Sequence, residues 1–234
     1  MIEQTDFETY LCVSKETFQV FVYDKINQKN LYNEELKFDE QFDFQDFNNL
    51  SKFLDNNIFK IEKLIGTFIK NITLIIKCEK NFCINIGIKK KNYDNSIDKK
   101  YLENTLIELK DLFKENYHGQ HIMHMIVTNY FINGKKFFSH VEGLDVNNLC
   151  LEVNFISISN NLKITFDKIL EKYQIKINQY LDGNYISNLS DVENCEIFEM
   201  AYKIKNGYNQ NEVILIPKDV KNIGFFEKFF QLFS

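Results

Sequence analysis

Three histidines, His118, His121 and His124, stand three residues apart, a spacing that raises the question of a metal. The residues from His121 onward, "HIMHMIVTNYFI", read as a strand, where side chains alternate between faces, so His121 and His124 are expected on opposite sides. No cysteine or carboxylate motif beside them completes a ligand set, and no metal site is expected. Ser139-His140 lies in a hairpin return without the Gly-x-Ser-x-Gly setting of a hydrolase nucleophile. The eight glycines all stand apart. Phosphate cradles need glycines clustered so that backbone N–H groups can approach an anion, and neither Gly-x-Gly, Asp-x-Gly nor Gly-Lys-Ser/Thr occurs. Neither catalytic residues nor a cofactor are expected, and the sequence reads as a protein that is not an enzyme.

The elements that would carry these residues alternate between two periods. "YLCVSKETFQVFVYD" reads as a β-hairpin around Lys15-Glu16, with a third strand in "NLYNEELKF". Phe44, Phe47, Leu50, Phe53, Leu54, Ile58, Ile61, Leu64, Ile65 and Phe68 recur at helical spacing, predicting one broken or two consecutive helices that end near Asn71. Two short strands follow, "ITLIIK" and "FCINIGI". From Lys99 the order is helix, strand, strand, helix, strand, with Asn133-Gly134 as a two-residue hairpin turn whose residues both accept positive φ. "ENCEIFEMAYKIKN" is a last helical stretch. The expected fold class is α+β, with antiparallel sheets and packed helices.

Composition narrows the partners. With 44% hydrophobic and 15% aromatic residues, 234 residues can bury a substantial core. A net charge of −5, with 28 basic residues spread among 33 acidic ones, gives no single-sign surface and argues against nucleic acid. Every basic residue is lysine, which removes bidentate phosphate forks. Five scattered cysteines without a Cys-x-x-Cys pair read as a reducing, cytosolic setting. The first ten residues lack the basic and apolar regions of a signal peptide, and no apolar run approaches the roughly 18 to 20 residues of a spanning helix.

The closing residues "GFFEKFFQLFS" are a candidate surface anchor. On a helical wheel Phe225, Phe226, Phe229, Phe230, Leu232 and Phe233 share one face, opposite Glu227, Lys228, Gln231 and Ser234. Such a face can sink to the headgroup boundary without spanning a bilayer, as a weak and reversible anchor. The same face could instead pack on the protein's own body or in a partner's groove.

"HMIVTNYFINGKKFFSHVEGLDVNNLCLEVNFISIS" resembles the inserted subdomain, called 1C or SHS2, of the actin-like bacterial cell-division family FtsA. His124, Ile126, Tyr130, Asn133-Gly134, Gly143-Leu144, Leu149, Glu152 and Val153 fall at matching places over a likeness covering roughly residues 99 to 183. Val127 and Val141 stand where the family has prolines, and Asn154 replaces a histidine. The resemblance implies a degenerate actin-like subdomain over 1–95, a 1C-like subdomain over 96–186, a helix and linker over 187–222, and an amphipathic membrane helix over 223–234. "LCVSKETF" takes the place of the family's Asp-x-Gly-Thr phosphate turn without its aspartate or glycine. The second actin-like half has no counterpart after Gly183, so neither ATP binding nor direct FtsZ docking is implied.

Taken together, the resemblance implies a non-enzymatic division adaptor held at the cytoplasmic face of the inner membrane. His124, Tyr130, Asn133, Gly134, Gly143 and Glu152 would carry contacts with other division proteins or with a second copy. The alternatives are a diverged actin-like ATP-binding protein that rebuilds its cleft by dimerising, and a scaffold whose aromatic tail packs on its own body.

Overall fold

The computed structural model describes residues 7–27, 29–38, 43–44, 47–79, 81–138 and 143–213. In chain order the elements are β1 (Phe7–Ser14), β2 (Thr17–Asp24), β3 (Lys29–Lys37), α1 (Asn48–Ile65), β4 (Asn71–Lys77), β5 (Phe82–Ser96) and α2 (Lys99–Asn116). They continue as β6 (Gln120–Ile132), β7 (Lys135–Phe137), β8 (Asp145–Ser159), α3 (Asn160–Glu171), β9 (Lys176–Asp182), α4 (Gly183–Glu193) and α5 (Ile197–Lys205). Two sheets and five helices among the described residues make the fold α+β. They gather into two units, one from residues 7–79 with 161–202, the other from residues 81–160 with 203–213. Residues 81–160 of the second unit are thus inserted in the first between β4 and α3, and residues 203–213 follow the first unit's last segment.

The first unit carries a sheet in the order β3-β2-β1-β4-β9. β1, β2 and β3 form an antiparallel meander, and β4 and β9 extend it in parallel. Central strands buried on both faces read as continuous apolar runs rather than alternation. Tyr10, Leu11 and Val13 of β1 and Ile72, Leu74, Ile75 and Ile76 of β4 accordingly have no solvent exposure. α1 buries Leu50, Phe53, Leu54, Ile58 and Ile61 and stops at Gly66, whose left-handed φ of 72° lets its N–H donate to Glu62 O at 2.9 Å. The helix therefore ends short of Asn71, and Leu64 and Phe68, which the spacing assigned to its apolar face, are exposed.

The second unit carries the antiparallel sheet β5-β8-β6-β7. α2 begins at Asp98, whose Oδ1 accepts from Tyr101 N at 2.7 Å. It lays Leu102, Leu106, Leu109 and Phe113 into one core with Leu149, Leu151, Val153 and Phe155 of β8. The Phe113 and Phe155 rings stack with centroids 4.8 Å apart. The Asn133-Gly134 turn forms as the sequence predicts, with φ of 50° and 81°. The strand Lys176–Asp182, grouped by the resemblance with the second segment, instead pairs with β4 in the first sheet.

Candidate partner-binding face

β6 is not a regular strand. Its register against β8 shifts between Ile122 and His124 and again between Val127 and Asn129, leaving Met123 and Thr128 as bulges. Each extra residue reverses which parity faces inward. Ile122, Met125, Val127, Tyr130 and Ile132 all reach the core, although no single alternation joins them. His121 pairs with Ile158 and His124 with Ile156, two residues apart on β8, so both histidines lie on one face, correcting the opposite-face expectation. Among the described residues no group of three or more His, Cys, Asp or Glu side chains converges as a metal site.

The face turned away from α2 is polar and half open. On β5, Cys83, Asn85, Gly87 and Lys89 are exposed. Beside them Cys150, Glu152 and Asn154 of β8, then Ile126, Asn129 and Phe131 of β6, are half-buried. Rows of facing side chains run across the strands. Asn154 Nδ2 donates to Asn85 Oδ1 at 2.7 Å, and Asn129 Nδ2 donates to Glu152 Oε2 at 2.5 Å. Gly87 lies opposite Glu152 in the register, and a Cβ there would stand 3.6 Å from Glu152 Cγ. Burial, reinforced by Glu152, pushes the Cys150 thiol up.

The residues matched to the 1C-like motif divide between this face and the scaffold beneath it. Glu152 lies on the open face. His124 is fully enclosed, with Nδ1 2.6 Å from Glu212 Oε1. Tyr130 points into the core. Asn133 is a turn builder: its Oδ1 accepts from Asn147 N at 2.9 Å and Asn148 N at 3.1 Å, and its N–H donates to Asn148 O at 2.9 Å. Gly134 and Gly143 take positive φ in turns, and Gly143 N donates to Ile97 O at 2.9 Å. Phe225, Phe226, Phe229, Phe230, Leu232 and Phe233 lie outside the described residues, as do Ser139 and His140. The sequence reading did not name Asn85, Asn129 or Glu212; Glu212 is 88 residues from its histidine, a separation no local pattern reports.

In the first unit, the carboxyl ends of β1, β4 and β9 come together, the place where sheets of parallel strands hold ligands. Ser14 pairs with Lys77, and Ile76 with Asp182. The polar groups there satisfy one another. Ser14 Oγ accepts from Glu16 N at 3.1 Å and Thr17 N at 2.8 Å, closing the β1–β2 turn on itself. Asp182 Oδ1 caps α4 by accepting from Tyr185 N at 2.7 Å, and Lys15 Nζ reaches Glu79 Oε2 at 2.7 Å. A Cβ at Gly183 would stand 2.8 Å from Lys77 Cβ, so glycine lets α4 start hard against β4. Also in this unit, Ser190, Asp191, Asn194, Cys195, Glu196 and Glu199 line a depression of about 430 Å³. Its three carboxylates repel an anionic ligand.

The sequence matches no protein-family model and no curated protein. Among solved structures it is similar to the cytoplasmic domain of EpsL, an inner membrane component of the type II secretion system of Vibrio cholerae. That likeness has 8% identity, covers 76% of this chain and 56% of that chain, and has a TM-score of 0.32. A Bacteroides thetaiotaomicron protein with an actin-like ATPase fold shares 14% identity over 82% of this chain and 60% of that one, at a TM-score of 0.32. The PilM–PilN type IV pilus biogenesis complex shares 6% identity over 86% of this chain and 52% of that one, at a TM-score of 0.45. The chain spans between 52% and 60% of the length of these chains. The topology already described defines the class as α+β, with a first sheet antiparallel at β1–β2–β3 and parallel from β1 through β9, and with residues 81–160 inserted after β4.

Proposed function

We propose that this chain is a non-catalytic scaffold that binds protein partners, and that it serves as an FtsA-like division adaptor at the cytoplasmic face of the inner membrane. The observation that carries the reading is the open face of the inserted unit, where Asn85, Asn154, Asn129 and Glu152 form rows of side-chain hydrogen bonds flanked by Lys89, Cys150 and Phe131. A polar face with an aromatic residue at its side suits a reversible protein contact. Of the order that the 1C-like reading expects from Lys99, the second unit holds α2, β6 and β8. The self-satisfied β1–β2 turn supports a role without nucleotide chemistry, since the N–H groups of Glu16 and Thr17 already serve Ser14. No helix among the described residues is long and apolar enough to cross a membrane. The attachment in this reading is the phenylalanine face at 225–233.

The deciding measurement is binding of the purified chain to purified division proteins, including FtsZ, by interferometry. The wild-type chain is compared with an Asn85→Lys/Asn154→Lys variant of unchanged melting temperature. The reading expects a partner whose affinity the variant lowers at least about tenfold, a change of roughly 1.4 kcal/mol. Binding to none of them, or binding indifferent to the substitutions, overturns it. Millimolar Mg-ATP should leave the melting temperature unchanged, whereas a nucleotide at a hundred times its Kd would add about 2.7 kcal/mol. Equal pelleting with liposomes by the full chain and by one ending at Asn222 would remove the membrane part.

A further inference from the structure

The edge of β6 beyond the reach of β7 is occupied by a short piece of the same chain. β7 pairs only with Tyr130–Ile132, and upstream of it the strap 211–213 lies antiparallel against β6. Val127 N donates to Asn211 O at 2.8 Å, and Val213 N donates to Met125 O at 2.8 Å. The side chains then alternate. Val213 enters the core of the second unit, while Glu212 turns to His124, with side-chain exposures of 10% and 0%. The two side chains meet with 2.6 Å between His124 Nδ1 and Glu212 Oε1. The fit is incomplete at one atom: Asn211 Oδ1 is buried without a hydrogen-bond partner among the described residues.

We propose that this edge, from His124 to Val127, is a strand-addition site for an extended partner peptide that carries a carboxylate followed by an aliphatic residue, and that the strap is its resident competitor. Strand addition draws affinity from backbone bonds and specificity from pockets for alternate side chains. Both parts are on the strap: two ladder hydrogen bonds, a histidine sealed from solvent that selects an acid, and a core socket that selects an aliphatic residue. A neutral apolar residue at the Glu212 place would remove the 2.6 Å polar contact to Nδ1 from a site without solvent exposure, which is costly. β6 pairs with β8 from Gln120 to Ile132, whereas among the described residues the strap pairs with β6 at one bridge, and in the proposed exchange it opens at lower free energy than the sheet. The Asx turn before it, where Asn211 N donates to Asn209 Oδ1 at 3.0 Å, gives a local pivot. An edge so released presents unpaired N–H and C=O groups as a template.

The inference goes beyond the scaffold reading and is tested separately, since the face substitutions lie on β5 and β8. The probe is a fluorescein-labelled peptide with the sequence of residues 208–213, titrated by anisotropy into the full-length chain. The Glu212→Gln chain should bind it at least about tenfold tighter than wild type, because its own strap has lost the acid, and a peptide with Gln in place of the acid should lose about tenfold. Equal affinity of the two chains, or of the two peptides, overturns the proposal. In the unsubstituted chain, hydrogen exchange at Val127 should run at least about a hundredfold faster than at the central amides of β8. Equal protection means that the strap leaves only on global unfolding and overturns the proposal without relying on any variant. A concentration-dependent dimer of the Glu212→Gln chain without peptide would reassign the edge to a second copy's strap and also overturn it.

Discussion

The two sheets differ in strand length, 7 to 9 residues in the first against up to 15 in the second, and their central strands treat water in opposite ways. In the first unit, β1 and β4 bury consecutive residues, Tyr10 through Val13 and Ile72 through Ile76, so both faces of the strands are dry. In the second, β5 alternates between half-buried residues toward α2 and exposed ones on the other side. The polar groups follow the same division. At the carboxyl end of the first sheet they close on one another, through Ser14 to its own turn and Asp182 to its own helix. On the second sheet they stand in rows across an open face. A sheet with dry central strands is a platform, and a wet, one-sided sheet is a surface that can meet a partner. The inserted unit is therefore where recognition is expected.

The largest effects should separate the two sheets. Leu74→Ala, in the middle of β4 with no exposure, is expected to cost about 2–5 kcal/mol by urea unfolding, from lost burial and the cavity left behind. Asn85→Ala, on the open face, should stay within about 0.5 kcal/mol. A mild response at Leu74 would break the distinction. Next come two glycines. Gly183→Ala places a Cβ 2.8 Å from Lys77 Cβ and 3.0 Å from its backbone, and should cost about 1–3 kcal/mol. Gly87→Ala meets Glu152 Cγ at an ordinary 3.6 Å, and should shift stability by less than about 1 kcal/mol, toward stabilisation.

The strands themselves could be read from residue order: "YLCVSKETFQVFVYD" reads as a hairpin, "ITLIIK" and "FCINIGI" read as strands, and Asn133-Gly134 announces its turn, whereas which of them bury both faces emerges only with the pairing. What could not be read is nonlocal or irregular. The bulges at Met123 and Thr128 leave no mark in composition, yet they place His121 and His124 on one face. β9 joins β4 across an insertion longer than either unit's strands, so its alternation fits two sheets equally well until the pairing is known. α4 escaped notice because its buried side is Gly183, Ile186 and Ser190, with too few apolar residues to show a period. On the open face, Glu152 is a residue that the resemblance also named. Its neighbours Asn129 and Asn85 were not legible, because cross-strand rows depend on register.

A smaller effect sharpens the contrast through the cysteines. Cys83 is exposed on the open face, Cys150 is half-buried beside Glu152, and Cys12 is buried in β1 with its thiol pushed up to about 12 by burial. The thiolate is the reacting species, so a disulfide reagent at neutral pH should label Cys83 first, Cys150 more slowly, and Cys12 only with unfolding. Labelling of Cys12 at the rate of Cys83 would show that the first sheet is not dry.

The smallest expected effect belongs to the rows themselves. Asn85 and Asn154 face each other with 2.7 Å between Oδ1 and Nδ2, at the surface, where water competes for both amides. A double-mutant cycle to alanine should therefore return a coupling of only about 0.2–1 kcal/mol. The value matters for what it excludes. If these side chains were part of the fold's framework, removing either one would expose an unsatisfied partner and the coupling would exceed that range. A weak coupling means that the row stands ready to exchange its internal bond for one to a partner at little cost, which is what a reversible contact on this face requires.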